Sequence, residues 1–152
     1  MPIYTETQRL PYAQEQIFDL VADVERYPEF LPGLISVRVH GRRQDKVCVD
    51  MTVAIGPLKR RVSTIGLLRR PTRIDISSAD PLFEHFQQSW IFEALPGATK
   101  VTYQVDFEIA SALLDKLAAT VFINRAMMAI SAFRRRADAL FGTASGKGRH
   151  MA

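Results

Sequence analysis

Three adjoining stretches decide the fold: the run Phe86-Gln87-Gln88-Ser89-Trp90-Ile91-Phe92, the turn Pro96-Gly97, and the return Val101-Thr102-Tyr103-Gln104-Val105-Asp106-Phe107. Phe86, Gln88, Trp90 and Phe92 occupy alternate positions, as do Val101, Tyr103, Val105 and Phe107. A strand points successive side chains to opposite faces, so each run gathers its large side chains on one face. Separated by a Pro-Gly break, the two runs read as antiparallel neighbours with coincident aromatic faces. The period then changes. Leu113 to Leu140 reads as one long helix, capped by Ser111 and ended by Gly142. Leu114, Leu117, Ala118, Val121, Met128, Ala129 and Ala132 form its apolar stripe, which is expected to face the sheet.

Working back toward the N-terminus, Ile3 to Leu10 alternates loosely and stops at Pro11, which suits a first strand. Gln14 to Val24 carries Ile17, Phe18, Leu20 and Val21 at helical spacing, and Tyr27 to Pro32 reads as a second short helical turn closed by Pro32 and Gly33. Alternation resumes at Leu34. Ile35, Val37 and Val39 are expected on one face of a strand, and Val47, Val49, Met51, Val53 and Ile55 on one face of the next. Gly41 to Asp45 and Gly56-Pro57 are the intervening turns. Lys59 to Leu68 and Arg73 to Ser78 add two strands around Arg69-Arg70-Pro71-Thr72, and Asp80-Pro81 breaks the chain before the aromatic pair. The reading is an α+β chain: a curved antiparallel sheet of about seven strands, two short helices, and a long C-terminal helix packed across the sheet.

Composition bounds the function. The 152 residues suit one domain, and 47% hydrophobic against 24% charged residues is a globular balance. The charge-poor run Leu117 to Ile130 is interrupted by Asn124 and Arg125 and falls short of the roughly 20 apolar residues of a membrane span. Met1 to Tyr12 lacks the basic start and apolar stretch of a secretory leader, so the expected location is cytoplasmic. Cys48 stands alone, which excludes an intramolecular disulfide and a cysteine-rich metal site. Twenty Lys and Arg against 16 Asp and Glu give a formal charge of +4. The basic residues cluster at Arg42, Arg43 and Lys46, at Lys59 to Arg61, at Arg69, Arg70 and Arg73, and at Arg134 to Arg136. Such clusters suit solvated turns, and equally an anionic partner such as phospholipid headgroups or RNA.

Three stretches together carry a family resemblance: Val21-Ala22-Asp23-Val24-Glu25-Arg26-Tyr27-Pro28-Glu29-Phe30-Leu31-Pro32; Trp90-Ile91-Phe92; and Asp106-Phe107-Glu108-Ile109 with Ser111 and Ala132-Phe133-Arg134-Arg135-Arg136-Ala137. From about Tyr4 to Phe141 the chain resembles the helix-grip, START-like superfamily of lipid-transfer domains, pollen allergens and polyketide cyclases. Within it, the chain resembles the coenzyme Q-binding family that includes the bacterial ribosome-association toxin RatA. It departs from that pattern at Gly33-Leu34, where the family often has Trp-Cys, and at Asp80-Pro81-Leu82-Phe83, where it often has Gly-Pro-Phe. The resemblance implies a START-like ligand-binding domain over residues 1–141; residues 142–152, containing Gly, Ser and basic residues with little apolar content, are expected to form a flexible basic tail. It also implies a bound polyprenyl quinone such as ubiquinone, no required cofactor, and a peripheral place at the inner membrane.

A long isoprenoid ligand needs an apolar concavity with few polar groups. Tyr27, Phe30 and Leu31 are the expected lid; Met51, Val53, Phe86, Trp90, Phe92, Tyr103, Val105 and Phe107 the expected sheet lining; Leu117, Val121, Arg125 and Met128 the expected helix lining. Arg125 lies four residues after Val121 and three before Met128, on the face turned to the sheet, where an unpaired charge is costly. It either pairs with a carboxylate, extends its head to the edge, or orients a polar ligand head such as a quinone carbonyl. Catalytic and metal residues are not expected. His40, His85 and His150 are far apart, Glu84 and His85 point to opposite faces of a strand, and no phosphate-binding glycine loop is present. Three function classes follow: a non-catalytic carrier of ubiquinone or a similar lipid in support of respiration, a regulator that associates with the large ribosomal subunit and inhibits translation, and a polyketide cyclase or dehydratase. Nothing in the sequence points to DNA.

Overall fold

In the computed structural model, residues 3–55, 57–110 and 115–142 are described, with side chains of the last segment described from residue 119. The expected N-cap at Ser111, the helix start at Leu113, the tail from residue 143 and the Gly56 half of the Gly-Pro turn lie outside the described residues. The same holds for the side chains of Leu114, Leu117 and Ala118.

The chain runs β1 (Ile3–Leu10), α1 (Gln14–Ala22), a 3-10 helix (Val24–Glu29), β2 (Leu34–Arg43), β3 (Lys46–Ile55), β4 (Leu58–Arg69), β5 (Arg73–Ser77), β6 (Phe83–Leu95), β7 (Ala98–Ile109) and α2 (Asp115–Ala137), followed by a π-helical turn at Asp138–Gly142. All seven strands join one antiparallel sheet in the order β1-β7-β6-β5-β4-β3-β2. Every pairing except β1 with β7 links neighbours in the chain, so β1 and β2 form the two edges and α1 with the 3-10 helix spans the gap between them. The helix-grip architecture is thereby established.

The alternation in β3 is followed closely: Val47, Val49, Val53 and Ile55 are buried and Met51 is half-buried, while Lys46 faces solvent. Ile35 departs from its expected face. The register passes from Leu34 opposite Val53 directly to Ser36 opposite Thr52, leaving Ile35 as the extra residue of a bulge. A bulge shifts the side-chain phase by one, and Ile35 is 43% exposed while Leu34 and Val37 turn inward. A further bulge lies between Val39 and Gly41, and one between Phe83 and His85 sets Phe83 and Phe86 on the same face with ring centroids 4.9 Å apart.

The first helix ends at Ala22, and the second helical turn begins at Val24 rather than Tyr27. The long helix changes to the π-helical turn at Asp138 instead of continuing to Leu140. Its buried side is Ala126, Ile130, Ala132, Phe133 and Ala137, a face that keeps Ala132 of the expected stripe but is rotated from the rest of it: Met128 is 47% exposed and Val121 only half-buried. At about 100° per residue the helix buries one arc, and its bulkiest apolar groups select which. Ile130 and Phe133 select it here; the Phe133 ring meets Tyr27, Phe30 and Trp90 at 5.0–5.3 Å.

Candidate functional site: an apolar cavity between sheet and helix

Curvature of the sheet beneath α2 leaves a cavity of about 200 Å3. Eleven of the fifteen expected residues line it: Tyr27, Leu31, Met51, Val53, Phe86, Trp90, Tyr103, Val105, Phe107, Arg125 and Met128. Leu117 is one whose side chain lies outside the described residues. Phe30, Phe92 and Val121 do not line the cavity. The Phe92 ring, 1% exposed, packs edge-on against Phe18 of α1 at 5.7 Å, because the upper end of β6 is covered by α1 rather than α2. Phe30 turns to the far side of Tyr27, where the Arg136 guanidinium covers its ring at 5.1 Å, and borders a separate cavity with Leu20, Asp23, Arg26 and Leu140. Val121 is displaced by the rotation of α2, which directs Phe122 inward instead.

Phe122, Ala126, Ala129, Ala132 and Phe133 are the helix residues that sequence reasoning did not place in the site. Ala129 and Ala132 already stood in the expected stripe; the signal for the others was the spacing 122, 126, 129, 133, which shares Ala129 with that stripe and contains the larger rings. Gln88, Thr64, Ile76, Leu34 and Pro32 complete the lining. Gln88 stood in the alternating run, but a lone glutamine among aromatics carried no signal of its own.

Two aromatic groups border the space. At one end Trp90 lies 4.5 Å from Tyr103 and 5.0 Å from Phe133. At the other, Phe122 packs against Phe83 and Phe107 at 5.6 and 5.8 Å. The polar groups are few. The Tyr27 hydroxyl donates to the carbonyl of Val21, and the Thr64 hydroxyl donates to the carbonyl of Val49 at 3.3 Å. Burial pushes both the Tyr27 and Tyr103 phenols well above the usual tyrosine range, so each is neutral at physiological pH. Arg125 donates to the carbonyl of Ala54 and packs over Gly33, and no carboxylate among the described residues forms an ion pair with it. Burial lowers its proton affinity from the ordinary arginine value, and a guanidinium of this kind stays charged. Of the three alternatives open for Arg125, the structure removes the paired carboxylate.

Neither described histidine lines the cavity. His85 faces the outer side of the sheet, where its Nε2 lies 2.8 Å from Asp106, and His40 meets Asp50 at 3.4 Å, also outside. The cavity is mainly apolar, with neutral hydroxyl and amide groups and one cation in its lining.

The family described as polyketide cyclase/dehydrase and lipid transport matches residues 10–134. The chain belongs to this family. The family member named ribosome association toxin RatA, from Pseudomonas aeruginosa, is 34% identical over 134 residues, covering 88% of this chain and 93% of the relative. The mitochondrial coenzyme Q-binding protein COQ10 homolog B of Xenopus laevis is 26% identical over 144 residues, which cover 91% of this chain but 59% of the frog protein. The crystal structure of the Zhui aromatase/cyclase from Streptomyces sp. R1128 superposes with a TM-score of 0.84 over 95% of this chain and 98% of that one. At 15% identity that match speaks for the shared fold alone. Proteins similar to this chain in sequence thus include ones named for ribosome association and for coenzyme Q binding, and the aromatase/cyclase shares its fold.

Proposed function

We propose that the protein carries a polyprenyl lipid of the ubiquinone class, ring innermost, in the cavity beneath α2, in support of respiratory electron transport. The observation that carries this reading is an aromatic-lined space of about 200 Å3 in which, among the described residues, only Tyr103, Tyr27, Thr64, Gln88 and Arg125 add hydroxyl, amide or charged groups. An apolar cavity of about 150 Å3 suffices for benzene, so this one suits a single substituted ring. A polyprenyl chain must then leave between Leu31-Pro32 and Met128; Met127 of α2 and Leu58 at the start of β4 are exposed apolar groups. Those apolar groups beside Lys59 and Arg61 suit a peripheral membrane surface. The name of the frog relative supports the quinone class.

Mass spectrometry of an organic extract from protein purified out of its native host tests the reading, with Ala129→Phe as the blocked control. Stoichiometric quinone in the wild type and none in the control is expected. An empty wild type overturns it.

A second reading has its own support. Relatives bear the name ribosome association toxin, and Arg43, Lys46, Arg134 and Arg135 are exposed, as is Arg42, which Glu25 meets at 3.4 Å. Several other basic residues are already neutralised: Arg60 by Asp80, Arg70 by Asp19 and Arg73 by Asp75, each at 2.8 Å. In this reading the exposed cations contact ribosomal RNA on the large subunit, and co-sedimentation with that subunit falls steeply between about 50 and 200 mM salt. Salt-insensitive co-sedimentation, or none at low salt, removes it.

A further inference from the structure

Three hydroxyls line the cavity, and two are already committed as donors: Tyr27 to Val21 and Thr64 to Val49. Tyr103 is different. It stands directly opposite Trp90 in the β6–β7 register, and Gln88 lies two residues before Trp90 on the same face. The indole N–H of Trp90 reaches the Gln88 side-chain oxygen at 3.2 Å. An indole nitrogen only donates, so the carbonyl oxygen of Gln88 must face it and the amide NH2 must face the other way. That NH2 donates to the Tyr103 hydroxyl oxygen at 2.9 Å. The phenol oxygen is therefore an acceptor in this pair, and its own proton meets no acceptor among the described residues. Tyr103 is 3% exposed and Trp90 3%, so bulk water does not serve the proton either. A buried donor left unused is costly, and it selects for whatever supplies the missing acceptor.

We propose that Tyr103, oriented by Gln88 and Trp90, is a head-group site at the buried end of the cavity, selecting ring ligands that bear a carbonyl, ether or hydroxyl oxygen over hydrocarbons of the same size. This deepens the carrier reading and rests on it. The geometry sets the order of entry: the oxygen-bearing ring goes to Tyr103, and the tail points toward Arg125 and Met128, the latter 47% exposed at the mouth. Arg125 already spends one donor on the Ala54 carbonyl, and water reaches its partly exposed head, so it exerts less preference for a ligand oxygen.

Tyr103→Phe removes one oxygen and keeps the ring. The probes are decylubiquinone and undecylbenzene, the second lacking any acceptor. Trp90 is the single tryptophan of the chain and lines the cavity, so its quenching reports decylubiquinone directly and undecylbenzene by competition. Tyr103→Phe is expected to weaken decylubiquinone about tenfold and leave undecylbenzene within about twofold. The infrared carbonyl band of bound decylubiquinone is expected to lie lower in the wild type than in Tyr103→Phe. Equal weakening of both probes makes Tyr103 a packing residue and overturns the proposal. Unchanged decylubiquinone affinity, or a loss produced by Arg125→Met instead, overturns it as well. A wild type that binds undecylbenzene but not decylubiquinone defeats this proposal while leaving an apolar cavity in use; one that binds neither defeats the carrier reading itself.

Discussion

The guanidinium of Arg125 occupies the space that any side chain at Gly33 would need. A Cβ built on Gly33 overlaps the Arg125 head, Gly33 has φ +82°, and its carbonyl accepts from the backbone N–H of Ala54 at 2.8 Å, the residue whose own carbonyl accepts from Arg125. Turn, strand and helix are thereby tied at the mouth of the cavity, and glycine is required there twice, for its backbone and for its missing side chain.

Gly33→Ala is expected to cost about 2 kcal/mol, about half from the left-handed backbone and half from displacing Arg125. In an Arg125→Ala background the same substitution is expected to cost about 1 kcal/mol, since only the backbone penalty remains. Urea unfolding of the four proteins in this cycle measures the coupling. Equal costs in both backgrounds mean that the two residues do not interact energetically.

Two substitutions on α2, about two turns apart, test which residues of the helix line the cavity. Ala129→Phe fills the cavity and is expected to lower decylubiquinone affinity at least tenfold at a stability cost below about 1 kcal/mol, because the added ring enters existing space. Val121→Phe, one helical face away, is expected to leave affinity within about twofold. Titration by Trp90 quenching distinguishes them, and an effect at Val121 with none at Ala129 reverses the assigned helix phase.

Tyr12 links the first turn to the end of the chain. Its hydroxyl donates to Asp138, its ring meets Phe141 at 5.7 Å, and its carbonyl accepts from Thr99 at 2.7 Å. Burial, then the hydrogen bond to Asp138 and the negative charge of that residue, push the phenol up to about 12, with Arg134 opposing. Because the folded value exceeds the unfolded one near 10, this group contributes its full stability below about pH 10 and loses it as pH rises toward 12. Tyr12→Phe is expected to cost about 1 kcal/mol at pH 9 and markedly less at pH 11.5 in urea unfolding. A difference independent of pH places the contribution in the ring alone.

Much of this was legible in local pattern, and the failures have specific causes. The alternation of Val47 to Ile55 predicted the burial of β3, since pleating is a property of the backbone within one strand. Ile35 stood in an equally regular run and was misplaced, because its bulge arises from pairing with β3 and a single strand carries no record of its partner's register. Val121 and Phe122 illustrate the same division in a helix. Spacing by threes and fours identified a helix, but two stripes satisfied it, and contacts of Phe133 with Tyr27 and Trp90, more than forty residues away in sequence, selected one.

The sequence by itself determined the elements and their order, the antiparallel aromatic pair β6–β7, the helix across the sheet, and eleven of the residues that line the cavity. These depend on steric periods of two and 3.6 residues, which act between near neighbours. Only the tertiary structure decided the phase of α2, the volume left beneath it, the place of Arg125 over Gly33, and the unused donor of Tyr103. Each of these is a relation between surfaces of separate elements, set by how closely large side chains from distant positions pack, and packing at that range leaves no period in the chain.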